Sequence, residues 1–189
     1  QGKGVPGEAP IPFRDMVILL RAASGRAAVM ADILSQAGIP TYSDADGAFY
    51  TQPEVADVIA LLDVLDNPRN DIPLLHALAC PVFAFTPKEL AAIRLQDRDR
   101  EAPFHQLFFA QAQRDEKIAS ASRALSRWRF MAAHLPLDRF IRRLTRESGL
   151  YTTAGAKKDG RLRRANLRML AERANATGEP QSLAAFRSE

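Results

Sequence analysis

The apolar residues of the chain follow two patterns, one continuous and one helical. Residues 15–20 read DMVILL, a nearly unbroken apolar run that is typical of a strand buried on both faces of a parallel sheet. From Ser24 onward apolar residues recur at roughly helical spacing as far as Gly38, which is placed to end a helix, with Pro40 two residues later. The tripeptide TYS at 41–43 then predicts a second strand. Strand, helix and strand within about 30 residues match the size of a β–α–β unit.

After Tyr50 the pattern is helical throughout. Thr51 is a candidate helix cap with Pro53 in the first turn, and Thr86 with Glu89 three residues later predicts a capping box. Helices are predicted for IPLLHALAC, PKELAAIRL, FHQLFFAQA and for about 116–134, 137–149 and 161–176, the fifth ended by Gly149. The stretch YTTAGAKKDG, residues 151–160, is predicted to be a flexible loop.

Charge divides the chain at nearly the same place as the pattern. The whole chain has a net charge of +4, but residues 1–85 hold only 5 of the 26 basic residues and 10 of the 22 acidic ones. We therefore expect an α/β portion over 15–85 and an all-α portion over 86–189, preceded by a linker over 1–14. Two strands are too few for a stable sheet, the chain starts with Gln, and its tail FRSE has no helix-ending signal. These features predict a piece of a longer protein, truncated at the C-terminus.

The sequence lacks the motifs of several common catalytic sites. GKGVPGEAP has glycines and a lysine, but not in the order of a GxxxxGK[ST] phosphate loop, and neither Gly-x-Ser-x-Gly nor His-Glu-x-x-His occurs. The three histidines are scattered without metal-ligand spacing. The single cysteine, Cys80, excludes an internal disulfide, and its apolar surroundings predict a buried, unreactive thiol. We therefore expect no metal site and no catalysis by the chain alone.

Several stretches, in this order, resemble one family. They are RDMVILLR, AGIPTYSD, FYTQPEVADVIALLDVLDNPRNDIPLLHALACPVFAFTPKELAAIR, LPLDRFIRRLTRESGLY and RRANLRMLAERA. They are similar to the AddA family of large helicase–nuclease subunits, which are superfamily-one helicases of the UvrD and RecB type. The resemblance covers nearly the whole chain. It implies that residues 15–85 form part of an incomplete RecA-like parallel sheet domain, called 2A, and that residues 86–189 form the helical domain 2B inserted into it.

The resemblance also implies a function for the parent protein. The parent would be an ATP-dependent DNA helicase and exonuclease acting in double-strand-break repair and recombination, in the bacterial cytoplasm near the nucleoid. It would bind single-stranded and duplex DNA, ATP and Mg²⁺, and an AddB-type partner, with no role for a membrane. ATP and Mg²⁺ would bind outside this chain, which would supply DNA-handling surface. The alternative is a stand-alone helical module that binds a protein partner and never touches DNA.

The first group of candidate DNA-binding residues follows the first predicted strand. Arg21 matches the family arginine at the strand end, and Ser24 and Arg26 lie in the loop that follows. In UvrD-like helicases this loop lies at the floor of the single-strand track. Ala22 and Ala23 stand where UvrD-like members have Thr-Asn, so an amide contact to the strand is left unsupported. The alternative for Arg21 is an ion pair with a carboxylate that stabilises the loop.

The second group lies on the last predicted helix. Arg161, Arg164 and Arg168 share one helix face at spacings of three and four, and they follow Lys157 and Lys158. This pattern predicts a stripe that contacts phosphates, and the alternative is a solvated helix surface. The adjacent Arg163 must point in a different direction from Arg164. Trp128 is expected in the hydrophobic core rather than in a base-stacking site.

Overall fold

The computed structural model describes residues 11–20, 26–41, 49–97, 99 and 101–176 of the 189-residue chain. The chain divides into two compact units, Gln1–Thr51 and Gln52–Glu189. Within the described ranges the regular secondary structure is helical, and no β-strand occurs. The expected boundary between residues 85 and 86 lies inside the second unit. The assignment of 2A and 2B domains stays a prediction.

The helices are numbered here in chain order. The first unit contains a 3₁₀ turn, Phe13–Asp15, and helix α1, Arg26–Gln36. The second unit contains α2 Pro53–Asp66, α3 Asp71–Ala79, α4 Pro87–Arg94, α5 Phe104–Gln111, α6 Glu116–Ala132, α7 Leu137–Glu147, α8 Leu150–Ala156 and α9 Gly160–Ala176. Among the described residues, every helix is too short or too polar to span a lipid bilayer.

The strand predicted at residues 15–20 is not formed. The segment begins in the 3₁₀ turn and continues without ladder pairing, and Val17 and Leu19 are 79% and 90% exposed. A continuous apolar run becomes a buried strand only when neighbouring strands and covering helices are present, and the described residues supply no neighbouring strand. The second predicted strand, at 41–43, lies outside the described residues after Thr41.

The predicted end of α1 is confirmed. Gly38 has a φ of 77°, in the left-handed region that glycine adopts without strain. The N–H groups of Gly38 and Ile39 donate to the carbonyls of Ser35 and Leu34 at 3.0 and 2.9 Å. This pair of bonds is a Schellman motif, which satisfies two carbonyls at the end of the helix.

The core of the second unit is built around α2 and α9. Helix α2 packs on α3, α6 and α9, and α9 packs on α2, α7 and α8. The largest fully buried side chains come from these helices and from α5: they are Phe108, Phe140, Leu61, Leu74, Leu78, Ile118, Ile141, Leu144, Leu170, Val55, Val58 and Val64. Burying one such side chain contributes about 1.5–3 kcal/mol. Trp128 is 2% exposed and lies 5.9 Å from the ring of Phe83, so its expected place in the core is confirmed.

The helix starts match the sequence at one of two predicted caps. At α4 the capping box is confirmed, because Thr86 Oγ1 accepts from the Glu89 N–H at 3.3 Å and the Glu89 carboxylate accepts from the Thr86 N–H at 2.6 Å. At α2 the expected Thr51 cap is wrong. The cap residue is Gln52, whose side chain makes no capping bond, and Pro53 occupies the first turn.

The predicted flexible loop at 151–160 is largely helical instead. Gly149, with a φ of 77°, ends α7 as predicted, and α8 begins at the next residue. Leu150 and Ala154, one turn apart on α8, are 3% and 5% exposed, and α8 packs on α7 and α9. A seven-residue helix is marginal by its own propensity, so tertiary packing is what stabilises α8.

Candidate nucleic-acid interface

The first predicted group lies mostly outside the described residues. Arg21 and Ser24 are not described, and Arg26 is the first residue of α1 but its side chain is not described. A contact between this group and DNA stays a prediction.

The second predicted group is present on α9. Arg161, Arg164 and Arg168, called the α9 stripe below, fall within an arc of about 60° on the helix. Arg161 and Arg168 are exposed, whereas Arg164 is partly buried. Lys157 and Lys158 precede the stripe and are exposed as well. The structure therefore brings the predicted cations together on one helix face, as the spacing indicates.

Tyr151 of α8 binds two of the three arginines in the stripe. Arg164 Nε donates to the Tyr151 carbonyl oxygen at 3.3 Å, and the Arg164 guanidinium carbon lies 5.3 Å from the centre of the Tyr151 ring. Arg168 Nη1 donates to the Tyr151 hydroxyl at 3.1 Å. Each guanidinium carries five N–H donors, so these bonds leave donors on both groups for phosphate oxygens. Sequence reasoning missed Tyr151, because nothing in its local sequence indicates a contact with residues 13 and 17 positions away.

Arg163 points away from the stripe, as its position next to Arg164 requires. Arg163 Nη1 donates to Glu54 Oε2 at 2.6 Å, and Asn166 Nδ2 donates to Glu54 Oε1 at 2.7 Å. Glu54, in the first turn of α2, and Asn166 are both buried. Arg163 therefore stabilises the packing of α9 on α2 and is not available as a surface cation.

Helix α7 extends the basic surface beyond the predicted residues. Arg142 Nη2 lies 3.9 Å from the carboxylate of Glu172, which follows Arg168 by one turn on α9. Arg139 and Arg146 share the Arg142 face of α7, and all three arginines are exposed. This face therefore adjoins the end of the α9 stripe. The spacing of three and four in LDRFIRRLTRE was a signal that could have found it.

The exposed Arg142–Glu172 contact limits this surface only weakly. An exposed ion pair contributes about 0–1 kcal/mol, and salt screens it. An approaching phosphate can therefore compete for Arg142 at small cost. Glu172 still marks the end of the positively charged surface on α9.

A cleft of about 530 Å³ elsewhere in the second unit has no comparable chemistry. It is lined mainly by α3, α4 and the start of α5, with Asp71 at its edge. The Asp71 carboxylate accepts from the N–H groups of Phe104 and His105 at 2.7 and 3.0 Å and bonds His105 Nδ1. Burial raises the pKa of Asp71, but these hydrogen bonds outweigh it, so the pKa falls below its ordinary value. Asp71 thus caps α5, and no three metal-ligating side chains cluster in the part of the chain that the structure describes.

Comparison with known proteins matches most of this chain to one family pattern. The sequence profile of the UvrD-like helicase C-terminal domain matches residues 7–131. The chain is 35% identical over 176 residues to the AddA protein of the ATP-dependent helicase/nuclease of Thermoanaerobacter sp. (strain X514), a match that covers 91% of this chain. It is 39% identical over 168 residues, or 87% of the chain, to the AddA protein of Acetivibrio thermocellus, and 37% identical over 172 residues, also 87%, to that of Clostridium novyi. The chain spans only 13–14% of the length of these relatives.

Proposed function

The chain belongs to the family of UvrD-like helicase C-terminal domains, and from that membership we propose that it is part of the AddA protein of an ATP-dependent DNA helicase/nuclease. The parent would unwind and degrade DNA in double-strand-break repair and recombination, together with an AddB-type partner, at the nucleoid in the bacterial cytoplasm. The names of the relatives support the helicase and nuclease activities. In the parent, residues 15–85 would begin a RecA-like domain, which accounts for the exposed apolar side chains of residues 16–19.

Within that parent, we propose that the α9 stripe contacts the phosphates of duplex DNA. The observation that carries this proposal is the cluster of Arg161, Arg164 and Arg168, two of them held by one tyrosine, beside the arginine face of α7. Arginine forms paired hydrogen bonds with phosphate oxygens, and such contacts carry no base information. The surface would therefore hold duplex DNA without regard to sequence.

Duplex binding as a function of salt tests this role. The variant Arg161→Ala/Arg168→Ala removes the two exposed cations of the stripe and spares the partly buried Arg164. Each neutralised phosphate adds roughly 0.9 to the slope of log affinity against log salt, so this variant should bind a duplex of about 20 base pairs more weakly, with a slope flatter by about one to two units. The control Arg127→Ala/Arg129→Ala removes two exposed arginines of α6 and the same charge.

The control decides what a loss of binding means. An equal loss in both double variants would point to overall charge and not to the stripe. Unchanged affinity and slope in Arg161→Ala/Arg168→Ala would contradict the proposed interface. A chain that binds no DNA at any salt concentration would favour the alternative of a helical module for a protein partner.

We also propose that ATP and Mg²⁺ bind to other parts of the parent, and that this chain is not catalytic alone. Phosphoryl transfer requires groups that hold the β- and γ-phosphates and the metal ion, and the sequence has no phosphate loop. The purified chain should hydrolyse no ATP above the blank, with or without single-stranded DNA. A stoichiometric, DNA-stimulated activity that survives repurification would contradict this proposal.

A further inference from the structure

Helix α8 carries a glycine at the position where Arg164 crosses it. A Cβ atom built on Gly155 would lie 2.0 Å from Arg164 Nε and 2.2 Å from Arg164 Cζ. Any larger residue would therefore push the guanidinium off α8. Glycine inside a helix is less favourable than alanine, so α8 has a locally destabilising residue that makes room for one arginine side chain.

Tyr151 lies one turn before Gly155 and completes the seat for that side chain. Its carbonyl oxygen accepts the Arg164 Nε–H, its ring lies under the guanidinium, and its hydroxyl accepts from Arg168. One residue therefore orients both arginines, from two different parts of its own structure. Both contacts run between α8 and α9, so they depend on the packing of these helices.

We infer that Tyr151 and Gly155 are positioning residues that hold Arg164 and Arg168 in place for neighbouring phosphates of duplex DNA. The inference rests on the proposed function of the α9 stripe and extends it to residues on a second helix. An unrestrained arginine loses much side-chain freedom when it binds a phosphate, and an arginine that is already held loses less. The pair on α8 therefore raises the affinity of the stripe without touching DNA.

The variant Gly155→Ala tests this inference, because stability and binding should respond differently. The new methyl group meets the flexible end of Arg164 and displaces it, while alanine favours the helix. The variant chain should melt no lower than wild type, yet bind the duplex about three- to ten-fold more weakly. Its salt slope should be flatter by up to roughly 0.9, since one phosphate contact is lost. Thr152→Ala, at an exposed position of α8, is the matched control and should bind as wild type does.

The variant Tyr151→Phe gives an independent second test. It keeps the ring under Arg164 and removes only the hydroxyl that accepts from Arg168. Duplex affinity should fall about two- to five-fold with an unchanged melting temperature. If Gly155→Ala proves less stable than wild type, the result for Tyr151→Phe decides the inference.

The two proposals fail in different ways. If Arg161→Ala/Arg168→Ala weakens binding while Gly155→Ala and Tyr151→Phe bind as wild type does, the interface stands and the positioning role is overturned. If Arg161→Ala/Arg168→Ala leaves binding unchanged, the interface itself is overturned, and the positioning role with it. Weaker binding by all three variants, with Thr152→Ala unaffected, supports both.

Discussion

Loss of the Arg163 side chain should destabilise the second unit far more than loss of an exposed arginine on the same helix. Glu54 is 5% exposed, and its two carboxylate oxygens accept from Arg163 and Asn166 at 2.6 and 2.7 Å. The variant Arg163→Ala would leave this carboxylate with Asn166 as its one remaining donor of the pair, in a site with little access to water. A buried charge without its counter-ion is costly because the interior cannot solvate it.

The structure sets the size of the expected effect. Removal of one partner from a buried ion pair costs about 3–5 kcal/mol. The Arg163 side chain is 25% exposed, so water at the vacated site offsets part of that cost, and we expect a loss of about 2–3 kcal/mol. For a protein of this size, that loss corresponds to a drop of about 4–12 °C in melting temperature. Glu54→Gln should cost only about 1 kcal/mol, because it leaves no buried charge.

Urea unfolding followed by tryptophan fluorescence measures these differences. Trp128 is the single tryptophan of the chain and is buried in the same compact unit. Arg161→Ala, an exposed arginine two residues away, is the control and should stay within about 0.5 kcal/mol of wild type. Arg163→Ala/Glu54→Gln should be more stable than Arg163→Ala alone, since the double variant buries no carboxylate. A double variant that is less stable than Arg163→Ala, or an Arg163→Ala variant as stable as wild type, would refute the reasoning.

Three further outcomes are expected. A hydrogen bond from Lys117, together with the capping box, lowers the pKa of Glu89 from 4.5 to about 2, so its stabilisation is complete above about pH 4.5 and is lost as the pH falls toward 2. Glu89→Gln should therefore be less stable than wild type at about pH 7, and urea titrations at decreasing pH should show the difference vanish between pH 4.5 and 2; a constant difference would contradict this. Burial raises the pKa of Cys80 to about 11, so a thiol reagent at about pH 8 should react only after urea is added, and rapid labelling of the folded chain would count against the burial. Amide hydrogens of residues 16–20 should exchange faster than those near Leu167 in α9, and strong protection of 16–20 in a monomer would show a sheet that forms unaided.

Local signals were enough to predict where several helices begin and end. The capping box of Thr86 and Glu89 and the Schellman motif at Gly38 each involve residues within five positions of one another. Such contacts form within one turn of helix, so the sequence alone specifies them. The Thr51 cap failed for the same local reason, since Gln52 before Pro53 starts α2 without a side-chain bond.

Predictions that depend on distant partners were less successful. The apolar run at 15–20 has the composition of a buried strand, but a strand also needs neighbours that pair with its backbone. The opposite error occurred at α8, where a stretch rich in threonine and glycine is helical because Leu150 and Ala154 are buried and the helix packs on α7 and α9. In both places the local pattern is real, and the outcome depended on what packs against it.

The sequence by itself determined that Arg161, Arg164 and Arg168 share a face, because helical spacing places residues three and four apart side by side. Only the tertiary structure decided what each arginine of this helix does. Glu54 meets Arg163 from 109 positions away, and Tyr151 meets Arg164 from 13 positions away. These contacts exist because α9 packs against α2 and α8, and packing between helices depends on the shape of the whole core rather than on the sequence around any one residue.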